Sequence, residues 1–149
     1  MDDQIKITQP DNRLIALCSN VSKSYDLDGY SFSALNDVSC EFPAGKMGFL
    51  FGPSGCGKTT LLNLIGLIDK PSSGDIEFLG KNVNKLSEDE RADFRNAHIG
   101  FIFQSFNLIS VLSVRENVEF PLIRRQMPQK ERSERAEYYL QSVGLKDVM

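Results

Sequence analysis

The run Gly52 to Thr59 reads G-P-S-G-C-G-K-T. It fits G-x-x-x-x-G-K-S/T, the spacing of a loop that wraps phosphate (a P-loop). Each residue type suits that chemistry. Gly52, Gly55 and Gly57 can take backbone angles that a Cβ forbids, so the chain can close on a triphosphate. The N–H groups from Ser54 to Thr60 can point inward as an anion nest at a helix N-terminus. Lys58 is expected to reach the β- and γ-phosphate oxygens. The Thr59 hydroxyl is expected to ligate Mg²⁺, a hard cation that keeps several waters and takes few protein ligands. The expected nucleotide-binding set is therefore Gly52, Pro53, Ser54, Gly55, Cys56, Gly57, Lys58, Thr59 and Thr60.

Such a loop needs a strand before it and a helix after it. The apolar run Met47 to Phe51 supplies the strand. Leu61, Leu62, Leu64, Ile65 and Ile68 recur with helical spacing and read as core. Upstream, Leu14 to Val21 reads as a short strand, Asp26 to Ser33 as a loop, and Ala34 to Phe42 as a half-buried strand with Val38, Cys40 and Phe42 on one face. Downstream, Asp75 to Leu79 reads as a strand and Gly80-Lys81-Asn82 as a turn. Ser87 with Glu90, and Ser113 with Glu116, have capping-box spacing, which predicts helices toward Asn96 and Leu122. Ile99 to Phe103 is near-continuously apolar, as in a buried parallel strand, and ends at Gln104. Pro128 to Val143 is amphipathic, with Gly144 as the C-cap.

The 149 residues suffice for one domain with a core, and 41% hydrophobic with 25% charged residues is ordinary for a globular protein. A net charge of −3 argues against a nucleic-acid surface. No apolar run reaches the ~20 residues of a membrane-spanning helix, and Met1 to Arg13 reads as a polar leader, not a secretory signal. Cys18, Cys40 and Cys56 show no metal spacing and read as reduced thiols, with Cys56 beside a helix N-terminus. The single His98 offers no ligand cluster and reads as a strand-edge residue. Arg91, Arg95, Arg124, Arg125, Arg132 and Arg135 read as solvated helical faces.

The order of these pieces resembles the nucleotide-binding subunit of an ABC transporter. VSKSY, GPSGCGKTTLLNLIGLIDKPSSGDIEFLG, RNAHIGFIFQSFNL and LSVRENVEFPL carry the likeness from Leu14 onward. Arg95-Asn96 and the LIGLIDKPSSG wording resemble the ATPases of lipoprotein-releasing and macrolide-export systems. The resemblance implies an α/β P-loop NTPase fold with a RecA-like core, an N-terminal antiparallel β subdomain and the start of a helical subdomain, the sheet incomplete. It divides the chain into a leader (1–13), an ATP-binding core (14–104) and a helical part (105–149). It implies ATP and Mg²⁺ as cofactors, with Tyr25 stacking on adenine (Tyr30 is the competitor) and Gln104 touching Mg²⁺ and the attacking-water region. Lys58 and Gln104 are its catalytic residues and Thr59 and Gln104 its metal contacts. Its partners would be a transmembrane permease, near Phe106, Leu108, Ile109 and Leu112 (which fit the core of the helical subdomain equally well), and a second ATPase subunit. It would sit in the cytoplasm, peripheral at the inner face of the cell membrane.

Hydrolysis needs a second Mg²⁺ anchor and a group that positions water. No apolar strand here ends in Asp, since Leu67-Ile68-Asp69 closes a helix, and the LSGGQ-type signature is absent. The expectation is a truncated chain that binds ATP without turning it over alone. A small P-loop kinase or phosphotransferase, or a non-catalytic nucleotide-binding interaction module, stay open as alternatives. Asn84-Lys85 is followed by Leu86-Ser87, so the N-K-x-D guanine reader is missing.

Overall fold

The computed structural model describes residues 13–27 and 29–145. Apart from Arg13, the leader lies outside them. The chain divides after Arg91 into two compact units.

The first unit is built on an antiparallel sheet with strand order β2-β1-β3-β4. β1 (Leu14–Leu27) and β2 (Tyr30–Pro43) form a hairpin in which Leu27 pairs with Tyr30. Gly29 in its turn has φ 87°, which glycine adopts without steric cost. Both strands are longer than their composition suggests, because Asp26, Leu27 and Tyr30 to Ser33, which read as loop, continue the ladder. Val38, Cys40 and Phe42 do alternate half-buried with exposed neighbours. β3 (Ser73–Phe78) pairs with the other edge of β1, and β4 (Lys81–Asn82) pairs back on β3. Leu79 and Gly80 between them have φ 51° and 73°, the signature of a two-residue type I′ turn. Lys81 and Asn82 therefore lie in the strand instead of the turn.

Four irregularities interrupt the β1–β2 ladder. One sits at Asn20, where φ is 51°. Another leaves Ala34 unmatched between the Lys23–Leu35 and Ser24–Ser33 pairs. Bulges of this kind re-aim a strand locally. After Asn20 the buried phase of β1 passes from Ala16 and Cys18 to Val21, so Lys23 and Tyr25 follow Val21 at period two.

α1 (Lys58–Ile65) buries Leu61 and Leu64, and Leu67 beyond its end is also buried. Leu62 and Ile68, expected in the core, are exposed. A 3₁₀ turn (Val83–Lys85) seats Val83 in the same core as Ile76 and Phe78. α2 (Glu88–His98) opens at the predicted capping box: Ser87 N–H donates to Glu90 Oε2 (2.8 Å) and Glu90 N–H to Ser87 Oγ (3.3 Å). His98 ends this helix, its ring 4.5 Å from that of Phe94, and is not a strand-edge residue.

In the second unit α3 (Val114–Ile123) starts at a complete capping box on Ser113 and Glu116 and accommodates Pro121 near its end. α4 (Gln129–Ser142) buries Ala136 and Leu140. It closes at Gly144, φ 79°, with Leu145 N–H bonded to Leu140 O (2.8 Å) and Gly144 N–H to Gln141 O (3.1 Å). This is the paired arrangement of a Schellman cap.

Two expected strands do not form. Met47–Phe51 and Ile99–Phe103 have no strand pairing among the described residues, and Phe49, Phe51 and Ile102 are exposed. A parallel strand exists only through a hydrogen-bonded neighbour, and the sheet formed here is wholly antiparallel.

Candidate functional site

The phosphate loop leads straight into α1. Gly57 is the helix N-cap at φ 90°, and glycine has no side chain with which to cap the first-turn amides. By helix geometry, the N–H groups of Lys58, Thr59 and Thr60 have no acceptor one turn earlier. They carry the positive end of the helix dipole. Lys58 Nζ folds onto the loop, donating to the carbonyls of Gly52 (2.8 Å) and Pro53 (2.7 Å), and lies 3.6 Å from Cys56 Sγ. Its ammonium is thus held at the mouth of the loop, where a polyphosphate would neutralise it.

Above this loop lies a cavity of about 400 Å³. Ser54, Gly55, Gly57, Lys58, Thr59 and Thr60 line one side, and Tyr25, Phe32 and Ala34 the other. The structure thereby brings Tyr25 together with most of the predicted loop residues. Tyr30 is the partner of Leu27 beside the hairpin turn, is 82% exposed, and does not line the cavity.

Tyr25 is held by groups far away in sequence. Its hydroxyl donates to Asp69 Oδ2 (2.9 Å). Asp69 Oδ1 accepts from Lys23 Nζ (2.7 Å) and the Lys70 amide (2.7 Å). Lys23 Nζ also donates to Lys70 O (2.7 Å) and stands 4.8 Å from the Tyr25 ring centroid, within cation–π range. Burial alone would raise the Asp69 carboxyl. The hydrogen bonds from Lys23, the Lys70 amide and Tyr25, with the Lys23 charge, outweigh it and hold the carboxyl below its ordinary value. Burial pushes the Tyr25 phenol up, and the Asp69 carboxylate adds to the rise.

Arg91 departs from its reading as a solvated residue: it is 3% exposed, and its guanidinium donates to the Asp69 carbonyl and to Glu88 Oε1 (3.4 Å). Sequence reasoning treated Asp69 as the end of a helix and missed Lys23, Asp69 and Phe32. The one available signal for Lys23 was its period-two spacing from Tyr25.

Gln104 belongs to the second unit, on an exposed bend. Its expected place at the mouth of a buried strand is not found, because residues 99–103 make no ladder. In the same unit Leu108, Ile109 and Leu112 join Val118, Leu140 and Leu145 around an apolar cavity of about 580 Å³, whereas Phe106 is 90% exposed. Among the described residues no group of three or more His, Cys, Asp or Glu is placed to hold a metal ion, and no helix is long and apolar enough to cross a membrane.

A glycine-capped helix under a phosphate loop, carried beside an antiparallel sheet, defines an α/β P-loop NTPase. Residues 35–149 match the family described as ABC transporter, and the chain belongs to that family. It is 41% identical over 131 residues to the uncharacterized ABC transporter ATP-binding protein YknY of Bacillus subtilis, covering 88% of this chain and 57% of that protein. It is 41% identical over 134 residues to the macrolide export ATP-binding/permease protein MacB of Salmonella typhimurium, covering 90% of this chain and 20% of that one. A dimeric structure of the ATP-binding cassette MJ0796, in a post-hydrolysis state bound to ADP and Pi, superposes with a TM-score of 0.77 at 40% identity, covering 85% of this chain and 56% of that one. The chain thus spans little more than half the length of YknY and a fifth of MacB.

Proposed function

We propose that this chain is the ATP-binding part of a transport ATPase that couples nucleotide binding and hydrolysis to a membrane partner. The observation that carries the reading is the shared cavity: the Tyr25 ring and the loop from Ser54 to Thr60 line one space, suited to a base at one end and phosphates at the other. In this reading the amides of Ser54 to Thr60 and Lys58 Nζ hold the phosphates, and Tyr25 receives the adenine.

The donor set fits Mg²⁺ delivered with the nucleotide. A hydroxyl at the helix start suits an ion otherwise ligated by phosphate and water. Thr59 would hold it; bound there, it would neutralise charge on the β- and γ-phosphates. Turnover would need the rest of a full-length cassette, a second ATPase subunit and a transmembrane permease, placing the chain in the cytoplasm against the inner membrane face. MacB, which by name joins ATP-binding and permease parts, and the dimeric MJ0796 support those two partnerships. The division into residues 1–13, 14–104 and 105–149 is the organisation this reading assigns.

A phosphotransferase reading is weaker. It needs arginines free to close over a transferred phosphoryl group. Arg91 is buried on the Asp69 carbonyl, and Arg124 is paired with Asp93 at 2.6 Å.

Thermal unfolding with and without ATP–Mg²⁺, beside Lys58→Ala, tests the reading. Ligand at about 100 times its Kd adds roughly 2.7 kcal/mol. The stabilisation is expected in the parent chain and lost in the variant. A cooperative transition indifferent to ATP would overturn it.

A further inference from the structure

We propose that Asp69 is a positioning residue for nucleoside binding: with Lys23 it fixes the Tyr25 ring as the platform for the base. This rests on the function proposed above and adds a residue to it.

The geometry is over-determined. Both Asp69 oxygens are engaged, Oδ2 by the Tyr25 hydroxyl and Oδ1 by Lys23 Nζ and the Lys70 amide. Three donors from two directions fix the plane of the carboxylate, and hydrogen bonds to an ionised acceptor are the short, strong kind. The backbone around Asp69 is fixed as well. Its amide donates to Asn63 O (3.2 Å), as does that of Ile68 (2.8 Å), which ties it to the C-terminal turn of α1. From the other side the Arg91 guanidinium holds the Asp69 carbonyl, and Lys70 Nζ pairs with Glu88 (2.6 Å).

α1 therefore carries the phosphate loop at one end and the anchor of the base platform just past the other. The eight residues of α1 rise about 12 Å in all. Lys23 is nearly buried, with 12% of its side chain exposed, so its ammonium depends on Asp69 and the Lys70 carbonyl for charge balance and hydrogen bonds. Over the ring it polarises the π face, and it opposes rotation of the phenol.

A group acting only through Tyr25 must affect the nucleoside and spare the phosphates. The test is the Kd for ATP and for inorganic triphosphate, both with Mg²⁺, in the parent chain, Asp69→Asn, Tyr25→Phe and the double variant. Asp69→Asn is expected to weaken ATP about tenfold and leave triphosphate within about twofold, because it takes the charge from the bonds that hold Tyr25 and Lys23. Tyr25→Phe, which keeps the ring and removes only the hydroxyl, is expected to weaken ATP by a similar factor. The double variant should lose little more than either single change, because both act through the hold on the same ring. Equal weakening of both ligands in Asp69→Asn, or an unchanged ATP-to-triphosphate ratio in both single variants, would overturn the positioning role. A parent chain that binds neither ligand would overturn the nucleotide reading itself. Should Asp69→Asn not fold, the ratio in Tyr25→Phe decides alone.

Discussion

Gly57 and the backbone of Ala34 are in contact: a Cβ built on Gly57 would lie 2.6 Å from the Ala34 carbonyl oxygen and 2.7 Å from Leu35 Cδ2. Ala34 is the residue left unmatched in the β1–β2 ladder, so the irregularity in the sheet seats the N-cap of α1. Gly55 has a similar φ, 80° against 90°, with nothing within 4 Å of its built Cβ. Gly55→Ala should then cost only the backbone strain of the left-handed region, about 1–2 kcal/mol. Gly57→Ala adds overlap with a backbone oxygen that cannot rotate away and should cost more. Urea unfolding of the two variants side by side measures the difference.

Cys56 should react well before Cys18. Cys56 is exposed beside Lys58 at the phosphate loop. Cys18 is buried opposite Cys40, and burial first, then the neighbouring thiol, push its pKa from 9.0 up to about 12. It therefore holds far less thiolate than an unperturbed thiol at neutral pH. Iodoacetamide followed by peptide mass spectrometry should find Cys56 labelled early and Cys18 spared. ATP–Mg²⁺ should slow labelling of Cys56 if the loop closes on phosphate.

The Asp69 network predicts a pH signature with two opposite limbs. Its carboxyl titrates below the ordinary 3.8 in the folded chain, so its contribution is whole above 3.8 and fades as pH falls from there through the folded value. The Tyr25 phenol titrates above 10.0 when folded, so its contribution is whole below 10.0 and fades as pH rises through the higher folded value. The Tm difference between the parent chain and Asp69→Asn should be flat between these limits and shrink outside them.

Ser113 should matter to the second unit alone. Its side chain accepts from the Glu116 amide (3.2 Å) and its own amide donates to Glu116 Oε2 (2.7 Å). Ser113→Ala should cost about 1 kcal/mol. Hydrogen exchange should quicken in the amides of α3 and stay unchanged in β1.

What could be read in advance was chemistry confined to a few neighbouring residues. Ser87 with Glu90, Ser113 with Glu116, and Gly144 each satisfy backbone groups within three to five positions, and each helix end formed where expected. The reach of the hairpin was hidden, because Asp26, Leu27 and Tyr30 to Ser33 lie in a stretch of loop composition and become strand only through cross-strand pairing. Met47–Phe51 and Ile99–Phe103 have strand composition, yet strand is a relation between two segments, and neither run has its neighbour in the sheet formed here. The role of Asp69 depends on the end of α1 meeting β1, 44 residues away, which no local pattern encodes. Arg91 was misjudged for the same reason: its acceptor lies 22 residues upstream.

β1 sits between β2 and β3, and its two margins clasp the segment that runs from one to the other. The Ala44 amide bonds Arg13 O and the Ser72 amide bonds Ser22 O, each at 2.8 Å, so the whole excursion through the phosphate loop and α1 leaves from and returns to a single strand. For a folding chain this is a loop that closes only after distant segments pair, and its closure entropy must be met before the glycines of the loop are held in place. Lesions in β1 far from any phosphate, at Val21 or Cys18, should therefore slow the appearance of nucleotide-binding competence in refolding more than they weaken the affinity of the chain that finally folds.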